Sequence, residues 1–139
     1  MDGGPLARAR TAAQHSGDAA ESLVAERLVE LGWTVLARNV HVGRHELDLV
    51  AVDPGPPATL VIVEVRWRGR RDFGLPEETF DYRKRANLRA AVGRLLEDGL
   101  PNGVPAPRLP IRIDLIVVEP GASPDDAARV RHHRNALAG

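Results

Sequence analysis

The 139-residue chain contains no cysteine. Disulfides, cysteine-ligated zinc and thiol nucleophiles are therefore excluded. It has no apolar stretch long enough to cross a bilayer. Its opening residues are rich in Gly, Ala and Arg and lack the apolar run of a signal peptide. The expectation is a soluble, cytoplasmic protein with no membrane partner. Net charge is also missing, with 19 basic residues set against 19 acidic ones, which argues against a generally basic nucleic-acid binder. Lysine is almost absent: Lys84 is the only one, and the remaining formal positive charge is all arginine. There is no internal repeat and no low-complexity run beyond Pro/Gly linkers.

What is present suits one domain, long enough to bury a core without staples. Residues 1–16 read as a flexible N-terminal segment and 17–139 as a single domain. Apolar residues at helical period predict a helix from Gly17 to Leu31, stopped by Gly32. Strands are predicted at 33–39, 45–53 and 59–66, with a turn at 40–44 and a strong turn signal in Asp53-Pro-Gly-Pro-Pro57. A basic loop covers 67–76. A second helix spans 79–98, with Phe80, Leu88, Ala91, Val92, Leu95 and Leu96 as its apolar stripe. A Pro/Gly loop leads to a strand at 111–119, and 127–139 reads as a polar tail, a last strand or a turn of helix. The order α-β-β-β-α-β gives an α/β domain with a central mixed sheet flanked by helices.

Two carboxylates interrupt apolar strands: Asp48 in Glu46-Leu-Asp-Leu-Val50 and Glu64 in Leu60-Val-Ile-Val-Glu-Val65. Buried carboxylates are costly unless a cation or hydrogen bonds compensate them. Arg66 shares a strand face with Glu64. In an antiparallel hairpin that sets Asp53 opposite Thr59, Asp48 would face Glu64 and Glu46 would face Arg66, with opposed Cβ atoms roughly 5 Å apart. Such a pair suits Mg²⁺ or Mn²⁺, because Mg²⁺ takes one or two carboxylates and completes its shell with water and phosphate. The alternative is a salt-bridged, wet sheet face.

The basic residues cluster as Arg66, Arg68, Arg70 and Arg71, and as Arg83, Lys84, Arg85, Arg89 and Arg94. They read either as a phosphate-binding surface or as a solvated face. Asp18 and Glu21 lie on neighbouring faces of the first helix, either approaching the sheet as further acids or satisfying the helix dipole, which the spacing favours. Asp114 reads as an edge or partner-facing residue and the histidines as surface residues. Trp33 reads as core, and Trp67 as packing or as a platform for a base.

Asp48 followed by Glu64-Val65-Arg66 resembles the Asp…Glu-x-Lys signature of the PD-(D/E)XK nuclease superfamily. Gly17-Asp18, Leu31 to Asn39, Glu46-Leu-Asp-Leu-Val50, Val63 to Arg66, Phe73-Gly74, Arg83-Lys-Arg85 with Leu88, and Arg131 to Leu137 together resemble its bacterial YraN-like family. The resemblance implies a restriction-endonuclease-like fold and metal-dependent cleavage of DNA, branched or repair intermediates included. It implies Asp48 and Glu64 as ligands of Mg²⁺ or Mn²⁺, with Glu46, Asp18 and Glu21 as further acids of the site. Arg66 stands at the lysine position, so it keeps a charge for phosphate but will not act as a base. Lys84 is a candidate to supply the amine. Arg68, Arg70, Arg71, Arg83, Lys84 and Arg85 would track the nucleic-acid backbone. A homodimer would suit a fold whose nucleases often pair to meet two strands. Two other readings share these residues: a nucleic-acid-binding module without catalysis, and a protein-interaction domain with a salt-bridged acidic face.

Overall fold

The computed structural model describes residues 12–68, 82–119, 121 and 126–136. Helix α1 (Ala12–Glu30) begins upstream of the expected start and runs through Gly17. Ala20, Val24 and Leu28, spaced four apart, form its buried face. It ends at Gly32, whose φ of 90° only glycine adopts freely. The Gly32 N–H donates to the Val29 carbonyl at 3.0 Å and the Trp33 N–H to the Leu28 carbonyl at 2.9 Å, the two bonds of a Schellman close.

Strands β1 (Thr34–Val42), β2 (His45–Asp53) and β3 (Thr59–Trp67) form an antiparallel meander. The turn expected over 40–44 narrows to Gly43-Arg44, because β1 continues through Val42. Helix α2 (Tyr82–Asp98) and a 3-10 turn (Pro101–Gly103) precede β4 (Ile111–Glu119), which pairs in parallel with β3. Such a pairing requires a crossover connection of this kind. The tail contributes a strand, β5 (Arg129–His133), antiparallel to β4. The sheet order is β1-β2-β3-β4-β5. This five-stranded mixed sheet with two helices is consistent with a restriction-endonuclease-like core.

The sheet separates two cores. Val24, Leu28, Trp33, Leu49, Val61, Val63 and Ile116 pack on the α1 side. Val40, Val50, Leu60, Ile62, Leu88, Leu95 and Leu115 pack on the α2 side. The unbroken apolar run Leu60–Val63 follows from β3 being covered on both faces. Of the stripe expected on α2, Leu88, Ala91, Val92 and Leu95 are buried, Leu96 is exposed, and Phe80 lies outside the described residues. Among the described residues no helix is long and apolar enough to cross a membrane.

Candidate active site

The β2–β3 hairpin adopts the expected register from Asp53↔Thr59 to Leu49↔Val63, and there its ladder stops. On the other side of β2, the β1 ladder passes from Arg38↔Leu49 to Val40↔Leu47. Asp48 is thus skipped by both ladders. The β1 residue beside it, Asn39, has φ 50°, a left-handed conformation that asparagine tolerates better than most residues. Where the β2 backbone would have met Val65, the Asp48 carboxylate does so instead: the Val65 N–H donates to Oδ2 at 2.8 Å. The strands fork at the acids.

Glu64 is 3% exposed. Its Oε1 receives two cations, Lys84 Nζ at 3.0 Å and Arg66 Nη1 at 3.4 Å. Lys84 comes from the start of α2, and Arg66 from the next position on the same face of β3. The chain's one amine therefore stands at the acid that the resemblance singles out. Arg66 Nε is buried with no hydrogen-bond partner among the described residues, an unspent donor at the site. Asp48, Glu64, Arg66 and Lys84 line one cleft of about 350 Å³, together with Glu46 and Asn87.

Burial, and next the Glu64 charge, push Asp48 up to about 8, against the Val65 N–H bond that favours its ionised form. The charge of Glu21 and a hydrogen bond with Glu64 act in the same direction as burial. The ionised form of Asp48 is thus disfavoured beside Glu64, which a divalent cation would relieve. Among the described residues no three His, Cys, Asp or Glu side chains form a metal-holding group. Mg²⁺ needs no such cage: two carboxylate oxygens plus water and phosphate complete its octahedron. The donor set fits an open magnesium site on Asp48 and Glu64, and does not fit a closed structural one.

The outer acids take different places. With its amide oriented to satisfy both neighbours, Asn39 donates to Glu21 Oε1 at 2.8 Å and to Glu46 Oε1 at 3.1 Å. Glu21 is raised by burial first and then by the charges of Glu46, Asp18 and Glu64, against Arg38. Since α1 begins at Ala12, Asp18 and Glu21 lie beyond its first turn, so the dipole explanation of these acids fails. Glu46 does not face Arg66, because the ladder has already ended. It pairs across β1 with His41, whose Nε2 lies 3.8 Å from Glu46 Oε2.

Of the expected backbone-tracking residues, Lys84 lines the cleft and Arg68 does not. Arg68 Nη1 lies 3.8 Å from Glu119 Oε2, and Arg131 also pairs with Glu119. Arg85 is half-buried. Arg70, Arg71 and the side chain of Arg83 lie outside the described residues.

A second charge cluster lies at the far end of β2. Asp114 is fully buried, not an edge residue. Arg112 Nε and the Asn135 N–H both reach its Oδ1 at 2.9 Å, and His132 Nε2 lies 2.8 Å from Oδ2. His132 is thereby no surface histidine. Arg112 also bonds Asp53 at 2.9 Å and lies 5.5 Å from the centroid of the buried Trp33 ring. Trp67 packs on the α1-side core. The reading of residue types passed over Asn39 and Asn87. Only a left-handed asparagine inside a strand would have marked Asn39, and that is a conformational signal.

Residues 20–118 match the uncharacterised protein family UPF0102. A UPF0102 protein of Symbiobacterium thermophilum is 38% identical over 121 residues, covering 87% of this chain and 94% of its own. One of Carboxydothermus hydrogenoformans is 32% identical over 117 residues, covering 84% and 90%. One of Bifidobacterium longum subsp. infantis is 37% identical over 102 residues, covering 73% and 78%.

Proposed function

The chain belongs to the uncharacterised protein family UPF0102, and on that footing we propose that it is a metal-dependent nuclease hydrolysing phosphodiester bonds in DNA. The observation that carries the reading is the joint placement of Asp48, Glu64, Lys84 and Arg66 around one cleft. Asp48 and Glu64 would hold Mg²⁺ or Mn²⁺. Bound there, the cation would supply Lewis acidity to the scissile phosphate and lower the pKa of a water.

The remaining work falls to the chain's own groups. The Val65 N–H fixes the Asp48 carboxylate, so its free oxygen is aimed without a rotamer search. Glu64 holds Lys84 and Arg66 side by side. Two cations fixed before the reaction stabilise charge on the phosphate oxygens as it develops, without reorganisation. Arg66 contributes the charge. Lys84 contributes the compact ammonium that arginine cannot mimic. Asn39 bridges Glu21 and Glu46 beside the ligand acids.

The test is cleavage of labelled linear, single-stranded and four-way-junction DNA with Mg²⁺ or Mn²⁺. Asp48→Asn and Glu64→Gln are expected to abolish it. Lys84→Ala is expected to slow it by about 10²- to 10³-fold, the usual effect of losing one charge-stabilising donor. Residual cutting equal in wild type and both acid variants would sink the proposal.

A further inference from the structure

A second hollow of about 400 Å³ opens beside the first, between the β1–β2 turn and α2. Arg44 and His45 line both, so the two are neighbours. The floor of the second hollow is Val42, Ala90 and Ala91, and its rim carries Arg44 and Arg94. Gly43, at φ +60°, lies on its wall with Arg94 Nη1 close by: a Cβ at that position would lie 3.7 Å from it, an ordinary contact. Arg94 meets Asp98 only through Nε, in a pair exposed on both sides, which costs little to give up.

Resting on the nuclease reading above, we infer that this hollow is the path of an unpaired DNA strand leaving the acid site, seated over the β1–β2 turn between Arg44 and Arg94. Charge and shape both support it. Two arginines beside the turn match phosphates, while the exposed Ala90, next to the buried Val42 and Ala91, offers an apolar contact to a sugar or a base. A duplex offers a protein mostly phosphate and groove edges, with its base faces stacked away. An apolar floor beneath a cationic rim is therefore of use to a single strand.

Fluorescence anisotropy tests the assignment, with a labelled oligothymidylate and a duplex of equal length, in Mg²⁺ and again in EDTA. The oligothymidylate is expected to bind more tightly. Ala90→Glu, at an exposed helical position, is expected to weaken it roughly tenfold, the scale of one lost base contact. Ala90→Lys, expected to bind at least as tightly as wild type, separates loss of the groove from loss of the fold. Arg94→Ala is expected to reduce the slope of log K against log salt by about 0.7, the value for one phosphate on a single strand. If Ala90→Glu and Arg94→Ala keep the wild-type constant and slope while Lys84→Ala weakens binding, the strand leaves another way and the nuclease reading stands alone. Equal affinity for the duplex overturns the single-strand assignment. Wild type that binds neither probe in either condition ends both proposals.

Discussion

Asp48 is the residue on which the site turns, and its cost can be measured. Its folded pKa is raised, so over the range from the usual carboxylate value, about 4, to about 8 the folded chain carries a proton that the unfolded chain has lost. Stability contributed by this group therefore falls as pH rises through that window, at up to about 1.4 kcal/mol per pH unit. Asp48→Asn retains an oxygen to accept the Val65 N–H bond and removes the charge. In EDTA the variant is expected to match wild type near pH 4 and to exceed its melting temperature increasingly towards pH 8. Parallel melting curves at every pH would show that the carboxylate pair carries no penalty. Of the two acids expected inside apolar strands, Glu64 is buried and Asp48 half-buried. What no residue type could announce is that the Asp48 side chain completes the hydrogen bonding of a neighbouring strand.

Among the elements, β5 joins polar residues to a buried electrostatic network, with Val130 packed on the α1-side core. Arg129–His133 reaches the sheet beside β4, and the network on Asp114 ties its end down through His132 and the Asn135 N–H. Burial works to raise Asp114, but bonds from His132, Arg112 and Asn135 outweigh it and leave the group below its usual value. Its contribution is thus present above pH 4 or so and is lost only as pH falls through the lowered value. Asp114→Asn takes one carboxylate from Arg112, which keeps Asp53, and weakens the bonds from His132 and the Asn135 N–H; it is expected to cost about 1.5–3 kcal/mol, the scale of a hydrogen bond to a charged group. Amide exchange in residues 129–133 should accelerate before exchange in β2 and β3, and uniform acceleration would argue against a local clamp. Strands β2 and β4 were legible to the residue because alternation and β-branching coincide over 45–53 and 111–119. β5 was not, since a polar sequence such as Arg-Val-Arg-His-His becomes a strand only through a partner.

For the whole molecule, zero net charge conceals a division of labour: one acid–cation group builds a cleft and the other closes the sheet. If Asp48 and Glu64 hold Mg²⁺, the folded state alone gains from it. About 10 mM Mg²⁺ at a site of millimolar affinity adds about 1.4 kcal/mol, or roughly 4–6 °C in melting temperature for a domain of this size. Asp48→Asn should lose that shift; a wild-type melting curve indifferent to Mg²⁺ would leave the acids without a metal. Sequence spacing brought the acids together because they sit on one hairpin. It could not bring Lys84 to them, since that contact depends on how α2 crosses the sheet.

The fork and the crossover also set an order in time. Asp48 and Glu64 meet through a hairpin, which closes in about 1–10 μs. Lys84 arrives only once α2 docks and β4 finds β3, a long-range parallel pairing of the slow kind. The nascent site is therefore a pair of carboxylates waiting for its cations. Pulse-labelled exchange should protect the β2–β3 amides before those of β4, and simultaneous protection would show that the two halves of the site form as one.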